Sequence, residues 1–456
     1  MTQSSALAII LAAGKGTRMK SDLPKVLHRV AGAPMLAHVL EASRQAAIER
    51  TALVIGPSME KVGDDARKLD PHLTVFVQAK QQGTADAVKA ARPMLEEFQG
   101  HVLILYGDTP LIRAETLTKV RNALDDGADL VVIGFETDDP TGYGRLLLSK
   151  KGKLVGIREE KDASEEELAL NLCNSGIMGF RSGQTLLELL SRIGNDNAKK
   201  EFYLTDAVAL AKEAGLESYI VSADGAEVLG VNSRAELAAA EAALQQRLRA
   251  KIMDEGATLV SPGTVFFSHD TIVGKDVTIE PNVVIGPNVM IGDNVTIRAF
   301  SHIEGAKIGK GAIVGPFARL RPGAQLSENA HIGNFVEIKQ SDIGEGAKVN
   351  HLTYIGDASV GARANVGAGT ITCNYDGVAK HRTEIGEDSF IGSNSALVAP
   401  VKIGAGAYIG SGSVISKDVE PDALALSRAP QETRPGWAKR FRERLKRAKP
   451  AGNKET

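Results

Sequence analysis

Hydrophobic positions follow two different rhythms along the chain. In the first half, short apolar runs of strand length fall at residues 7–13, 52–56, 75–79, 101–107 and 129–135. Longer helix-like segments separate them, near 34–46, 84–98 and 113–125. That alternation predicts an α/β domain with a mostly parallel, doubly wound sheet, a fold that binds ligands beyond the carboxyl ends of its strands. From about Val273 to Ile415 the rhythm changes: an aliphatic residue recurs every sixth position through Val273, Ile279, Ile285, Ile291, Ile297 and Ile303. The step shortens to five at Ile308, Ile343 and Val360; the series breaks after Val366 and returns from Ile385 to Ile415. Neither a helix nor an alternating strand has that period. A short strand followed by a corner does, with the aliphatic side chain inward and Gly, Asn or Asp accommodating the corner dihedrals.

Between the two rhythms, residues 233–254 are rich in Ala, Leu, Glu, Gln and Arg. Ser233 with Glu236 forms a capping-box signature, and Leu237, Leu244, Leu248 and Ile252 make a stripe at helical spacing. The chain is therefore expected to divide into an α/β domain (1–232), a spacer helix (233–254), a repeat domain (255–427) and a basic tail (428–456). In the tail, Trp437, Phe441 and Leu445 recur every fourth residue among Arg and Lys, predicting a short amphipathic helix.

Composition narrows the function classes. A chain of 456 residues has room for two or three domains. A net charge of −2 and a pI near 6.5 give no global attraction to nucleic acid or anionic membrane. Cys173 and Cys373 are the only cysteines, too few for a disulfide framework, and the apolar run Ala6–Ala13 is too short for a signal or membrane helix. The expectation is a soluble cytoplasmic protein with neither nucleic acid nor membrane as a partner.

Candidate chemistry sits at the ends of the apolar runs. The first run leads into Leu11-Ala12-Ala13-Gly14-Lys15-Gly16-Thr17-Arg18-Met19, followed by Pro24-Lys25. The spacing is neither that of a P-loop nor of a Rossmann turn. A glycine-rich turn after a strand nevertheless offers backbone N–H groups to phosphates, and Arg18 and Lys25 supply positive charge. Tyr106-Gly107-Asp108 ends another run, so Asp108 should emerge at the crevice, where a carboxylate suits Mg²⁺; position alone favours a helix cap or turn residue. In the repeat, Arg321 and Lys339 directly follow aliphatic positions, at corners from which a cation reaches a phosphate. His351 is a candidate base because an imidazole has the ordinary pKa that proton transfer requires, although a lone histidine is more often structural. The break after Val366 predicts a loop extruded over about 370–384, and interruptions of this kind map to the functional face of a solenoid.

Taken in order, the glycine-rich string resembles the signature of sugar-1-phosphate nucleotidyltransferases. So do Gln78, Gly83-Thr84, Tyr106-Gly107-Asp108, Gly144, Glu159, Asn174 and Asn232. The repeat resembles the left-handed parallel β-helix of hexapeptide acyltransferases; its handedness rests on that likeness, since right-handed crossovers are the rule. With Arg321, Lys339, His351, Tyr354, Asn365 and Asn374-Tyr375, nearly the whole chain resembles one bacterial family. That family is the bifunctional N-acetylglucosamine-1-phosphate uridylyltransferases/glucosamine-1-phosphate acetyltransferases.

The resemblance implies acetyl transfer from acetyl-CoA to glucosamine-1-phosphate, then uridylyl transfer from UTP to N-acetylglucosamine-1-phosphate. It places the nucleotide on Leu11, Ala12, Ala13, Gly14, Lys25, Gln78, Gly83, Thr84, Tyr106, Gly107 and Asp108, with Arg18 and Lys25 catalytic. Gly144, Glu159 and Asn174 take the N-acetylglucosamine, and Asp108 with Asn232 takes Mg²⁺. In the second half it makes His351 the general base. Arg321 and Lys339 hold the sugar phosphate, Tyr354 and Asn365 place the sugar, and Ala368, Asn374, Tyr375, Ser393, Ser411 and Arg428 line the acetyl-CoA site. It also implies a homotrimer along the β-helix, with the tail completing a neighbour's site. Asp86 stands where relatives often carry His, and Ser411 where they often carry Ala. A monofunctional nucleotidyltransferase scaffolded by the β-helix is the alternative, disfavoured by Arg321, Lys339, His351 and the Asn374-Tyr375 loop.

Overall fold

Every residue of the run Ala6–Ala12 is buried, so its side chains must pack on both faces of a sheet. They do so alternately: Ala6, Ala8, Ile10 and Ala12 enter one core, and Leu7, Ile9 and Leu11 enter the other. The computed structural model describes residues 4–197 and 200–448. It divides the chain into two units, Met1–Thr271 with Val284–Asn288, and Ile272–Val283 with Val289–Thr456.

In the first unit nine strands form one mixed sheet. They are β1 (Ala6–Ala12), β2 (Arg50–Ile55), β3 (Thr74–Val77), β4 (His101–Tyr106), β5 (Leu130–Glu136), β6 (Arg145–Leu148), β7 (Leu154–Arg158), β8 (Leu172–Phe180) and β9 (Ser218–Ser222). Their order is β9-β5-β8-β4-β1-β2-β3, with β6 and β7 attached beside β8. β1 pairs in parallel with both β2 and β4, whereas β8 runs antiparallel to β4 and β5. Helices Met35–Gln45, Glu60–Leu69 and Ala114–Asp125 cover one face through residues such as Val39, Val62 and Leu117. Thr84–Ala90, Arg92–Glu97, Gly183–Arg192 and Ala207–Glu213 cover the other. The single helix expected near 84–98 is broken at Ala91, where a second helix restarts with Pro93 in its first turn.

The helix Arg234–Asp254 begins at the predicted capping box, with Ser233 accepting from the Glu236 N–H. Ala240 and Leu244, with Leu237 and Leu248, pack on Val30, Met35, Leu111 and Val231, so this helix shares a core with the first unit.

In the second unit the hexad positions stack coil upon coil. Ile279, Ile297, Val314, Ile332, Val349, Val366, Ile391 and Ile409 lie in parallel register and are buried. Two further rows stand on the other faces, for example Leu320, Ile338 and Ile355, and Ile308, Leu326, Ile343 and Val360. This is a three-faced parallel β-helix.

Three details depart from the expectation. Apart from Gly315, with φ +96, the glycines that follow the aliphatic positions are not there for unusual dihedrals: a Cβ at Gly333 would lie 2.0 Å from the Asn350 carbonyl oxygen of the next coil. Close approach between coils excludes any side chain there. The left-handed conformation falls on other residues, including Asn282, Asn288 and Asn294 but also Phe300, Phe317 and Phe335. These phenylalanines stack with centroids 4.9 and 5.1 Å apart, an interaction that offsets an unfavourable φ. Finally, the break is shorter than 370–384. Thr372 fills the inward position of the strand Ile371–Cys373, buried and paired with Leu397, so only 374–382 leaves the coil. A polar inward residue hid that strand from an aliphatic count.

Candidate active sites

Pairing of β1 with β4 sets Leu11 opposite Tyr106, and the Gly107 N–H donates to the Leu11 carbonyl at 3.0 Å. The turns leaving both strands therefore open into one cleft of about 370 Å³. Leu11, Ala12, Ala13, Gly14, Lys25, Gln78, Gly83, Thr84, Tyr106 and Asp108 line it, as do Lys15, Gln81 and Glu201. Gly16 has φ +60, and a Cβ there would stand 2.8 Å from Cβ of Lys25. Glycine at that point lets the turn close onto Lys25 and aim its ammonium inward.

Lys25 is buried, and its Nζ donates to Asp108 Oδ2 and, at 2.9 Å, to Asn232 Oδ1. A carboxylate and an amide oxygen thus converge on one cationic point. Such a donor set fits Mg²⁺, which keeps several waters and takes few protein ligands. Among the described residues no three His, Cys, Asp or Glu side chains form a metal cluster. Asn232 is set in place from two sides: the Val231 N–H donates to the Asp108 carbonyl at 2.9 Å, and the Asn232 N–H donates to Glu236 Oε2 at 2.6 Å. Burial, with Asp108 and Glu159 nearby, pushes the Tyr106 phenol up, so it lines the cleft as a neutral hydroxyl.

Asp86 has a definite place. Its Oδ2 accepts from Gln78 Nε2 at 2.8 Å, and the same Nε2 donates to the Gly83 carbonyl at 3.1 Å. Both contacts turn the Gln78 amide so that its oxygen remains available. Gly144, Glu159 and Asn174 form a second group outside the cleft lining. The Asn174 N–H donates to the Gly144 carbonyl at 2.8 Å, and Thr205 Oγ1 donates to Glu159 Oε1 at 3.2 Å. Arg18 is exposed on the short turn Thr17–Met19.

In the β-helix, register assembles what the sequence separates. Asn334 pairs directly with His351, and two residues beyond Val349, Val366, Ile391 and Ile409 stand His351, Ala368, Ser393 and Ser411. One corner therefore carries these residues on successive coils, and Arg428 Nη1 donates to the Ser411 carbonyl at 2.8 Å beyond them. His351 is exposed, with Nδ1 2.6 Å from Asn334 Oδ1. Asn365 lies on the face before this corner, in register with Lys348 and Phe390, and Tyr354 begins the strand after it.

Arg321 and Lys339 occupy the next corner, one residue beyond the paired Leu320 and Ile338. Lys339 lies within the strand Glu337–Ile343, which continues round the bend at Gln340, φ +46. Arg321 donates to Glu337 Oε1 at 2.8 Å. Asp357 Oδ2 is shared between Lys339 Nζ at 3.9 Å and the Asn374 amide, which donates to it. Lys380 closes on Lys339, which pushes the Lys380 ammonium pKa down. Loop 374–382 is folded around Asp376: its carboxylate accepts from the Val378 and Ala379 N–H groups and pairs with His381 at 2.7 Å. Those partners hold it well below the usual carboxylate range. Tyr375 is exposed and donates to the Gly377 carbonyl at 2.6 Å.

Sequence reasoning passed over Lys15, Gln81, Asn334, Asp357 and Lys380, and read Glu236 only as a helix cap. Lys15 lies inside the glycine-rich string, and Asn334 and Asp357 follow from stacking the hexads in register; nothing in the sequence marks the others. The predicted tail helix is Trp437–Ala448, with Trp437 and Phe441 stacked at 4.9 Å and Arg444 over Phe441. Lys449 and the rest of the tail to Thr456 lie outside the described residues. Both cysteines are free, and among the described residues no helix is long and apolar enough to cross a membrane.

Residues 8–170 match the MobA-like NTP transferase domain, and residues 270–305 and 382–417 match the bacterial transferase hexapeptide repeat. The chain is 59% identical over 443 residues to the bifunctional protein GlmU of Rhodospirillum rubrum, covering 96% of this chain and 98% of the relative. It is 58% identical over 442 residues to that of Azorhizobium caulinodans, covering 97% and 98%. Against that of Agrobacterium fabrum it is 54% identical over 454 residues, covering 100% of both chains.

Proposed function

The chain belongs to the bifunctional GlmU family, and from that premise we propose which residues carry each of its two reactions. It is a bifunctional enzyme that makes UDP-N-acetylglucosamine through a nucleotidyltransferase domain and a left-handed β-helix acetyltransferase domain. We assign the first to residues 1–232, the spacer helix to 233–254, the second to 255–427 and the tail to 428–456.

The first reaction in order is acetylation. The amine of glucosamine-1-phosphate attacks the thioester carbonyl of acetyl-CoA, forming the C–N bond. Nε2 of His351 takes the proton that the nitrogen sheds; the C–S bond then breaks and the departing thiolate recovers it as a thiol. Arg321 and Lys339 bind the sugar phosphate, and Tyr354 and Asn365 place the sugar. The small residues Ala368, Ser393 and Ser411 leave a strip for extended CoA, with Asn374 and Tyr375 beside it and Arg428 toward the phosphates. The row that continues from His351 into these small residues carries this reading.

In the second reaction a phosphate oxygen of N-acetylglucosamine-1-phosphate attacks the α-phosphorus of UTP, and the bond to the pyrophosphate breaks. The nucleophile is already an anion, so no general base is needed; catalysis is alignment and charge neutralisation. Backbone N–H groups of Leu11–Gly14, with Lys25 and Arg18, hold the phosphates. Gln78, Gly83 and Thr84 hold the base, and Tyr106 and Gly107 shape the cleft. Gly144, Glu159 and Asn174 bind the N-acetylglucosamine. Asp108 and Asn232 would hold Mg²⁺, which when bound offsets charge developing on the transferred phosphoryl group. The meeting of Lys25, Asp108 and Asn232 at the strand ends carries this half.

We further assign a cytoplasmic homotrimer associating along the β-helix, in which the tail helix lays Trp437, Phe441 and Leu445 against a neighbour. Half-exposed Trp437 and Leu445 support that reading. Asp108→Ala is expected to reduce pyrophosphate release from UTP about 10²- to 10³-fold and leave acetyl transfer intact. His351→Ala should reduce acetyl transfer about 10²- to 10⁴-fold and leave uridylyl transfer intact. Loss of both activities in either variant defeats the division of labour.

A further inference from the structure

We infer that Asn334 is a positioning residue for acetyl transfer: it fixes the tautomer and ring orientation of His351, so that the Nε2 lone pair faces the reacting amine. The inference rests on His351 being the base. Asn334 and His351 are register partners on neighbouring strands, and the chain is held at both. The Leu352 N–H donates to the Asn334 carbonyl at 3.1 Å, and the His351 carbonyl accepts from Thr353 Oγ1 at 2.7 Å and from the Gly369 N–H at 3.2 Å. Across this fixed step Asn334 Oδ1 lies 2.6 Å from His351 Nδ1. An amide oxygen only accepts, so Nδ1 carries the hydrogen. A neutral imidazole has one N–H; with it at Nδ1, the opposite nitrogen is the base.

An amide in this place differs from a carboxylate in its effect. It orients the ring without adding a negative charge that would hold the proton on the imidazole. The ionisable groups on the strands around His351 are His331, on the strand of Asn334, and Lys348, on His351's own strand; Asn365–Val366 on the other side brings none. Burial and the nearby Arg298, Lys348 and His351 push the His331 imidazole pKa down.

The test uses the full-length protein, with uridylyl transfer by the same preparation as internal control. Asn334→Ala should lower kcat for acetyl transfer about 10- to 100-fold, as expected for a misplaced catalytic group, with KM for both substrates within about twofold. Asn334→Asp, isosteric with the native side chain, should keep the fold. It should move the acidic limb of the kcat/KM profile upward by about one pH unit, through a carboxylate facing the imidazole. An unshifted profile in Asn334→Asp, or wild-type kcat in Asn334→Ala, overturns the inference provided His351→Ala is inactive. Full acetyl transfer by His351→Ala would instead overturn the base assignment itself.

Discussion

The two proposed catalytic centres are assembled over different distances along the chain. In the α/β unit Lys25 meets Asn232, 207 residues away, and Asp108 across 83. In the β-helix Asn334 meets His351 across 17 residues, Asn374 meets Asp357 across 17, and Arg321 meets Glu337 across 16. One centre is a consequence of a whole sheet closing between two cores. The other is a property of adjacent coils, each of which touches only its neighbours. The lesson is about how damage spreads. A flaw anywhere in the sheet displaces the cleft, whereas a flaw in one coil is felt by the coils on either side.

The largest expected effect comes from cutting into each core. Ile10→Ala, in the central strand, should cost about 2–5 kcal/mol and shift the unfolding of the first unit as a whole. Uridylyl transfer should disappear near the lowered transition while acetyl transfer persists. Ile332→Ala, buried between Val314 and Val349, should cost a similar amount yet impair only acetyl transfer, through the coils carrying Asn334 and His351. Thermal unfolding with both assays decides the matter. Loss of uridylyl transfer in Ile332→Ala would end the contrast.

A smaller effect sharpens it. Glu236 accepts from the N–H groups of both Asn232 and Ser233, so a helix cap also sets the residue that accepts from Lys25. Glu236→Ala should lower the stability of the first unit by about 1 kcal/mol and reduce uridylyl transfer by raising KM for UTP. Acetyl transfer should not change. Urea unfolding and steady-state kinetics read both.

The smallest effect is in pH. Burial pushes the imidazole pKa of His28, His38 and His101 down in the first unit, and of His331 in the second. A depressed histidine contributes stability that is complete above its unfolded value near 6.5 and is lost as pH falls through its folded value. Between about pH 7.5 and 5.5 the urea midpoint of the first unit should therefore fall more than that of the β-helix. The Asp376 turn should hold throughout, because its carboxyl is depressed from a range already below that window. Equal shifts in the two units would show that these histidines do not distinguish them.

Repetition made the second half readable. Because one inward side chain per hexad is all a coil needs, the period appears in the sequence, and stacking the hexads in register places His351, Ala368, Ser393 and Ser411 at one corner. Where a different side chain fills the inward place, as Thr372 does, the period lapses though the coil does not. In the first half the apolar runs disclosed the strands, and the glycine-rich string marked the turn after β1. Strand order was another matter: no local pattern sets β8 antiparallel between β4 and β5, or brings Asn232 onto Lys25.

By itself, then, the amino-acid order determined the elements, the coil register and the residue types gathered at strand ends, since these depend on periodicity and backbone preference over a few residues. Only the tertiary structure decided that Asp86 turns the Gln78 amide, that Glu236 holds Asn232, and that Asp357 joins Lys339 to Asn374. Those are hydrogen bonds and ion contacts made by side chains, which form or fail within an ångström. That precision arises only once the buried cores have fixed the backbone on both sides.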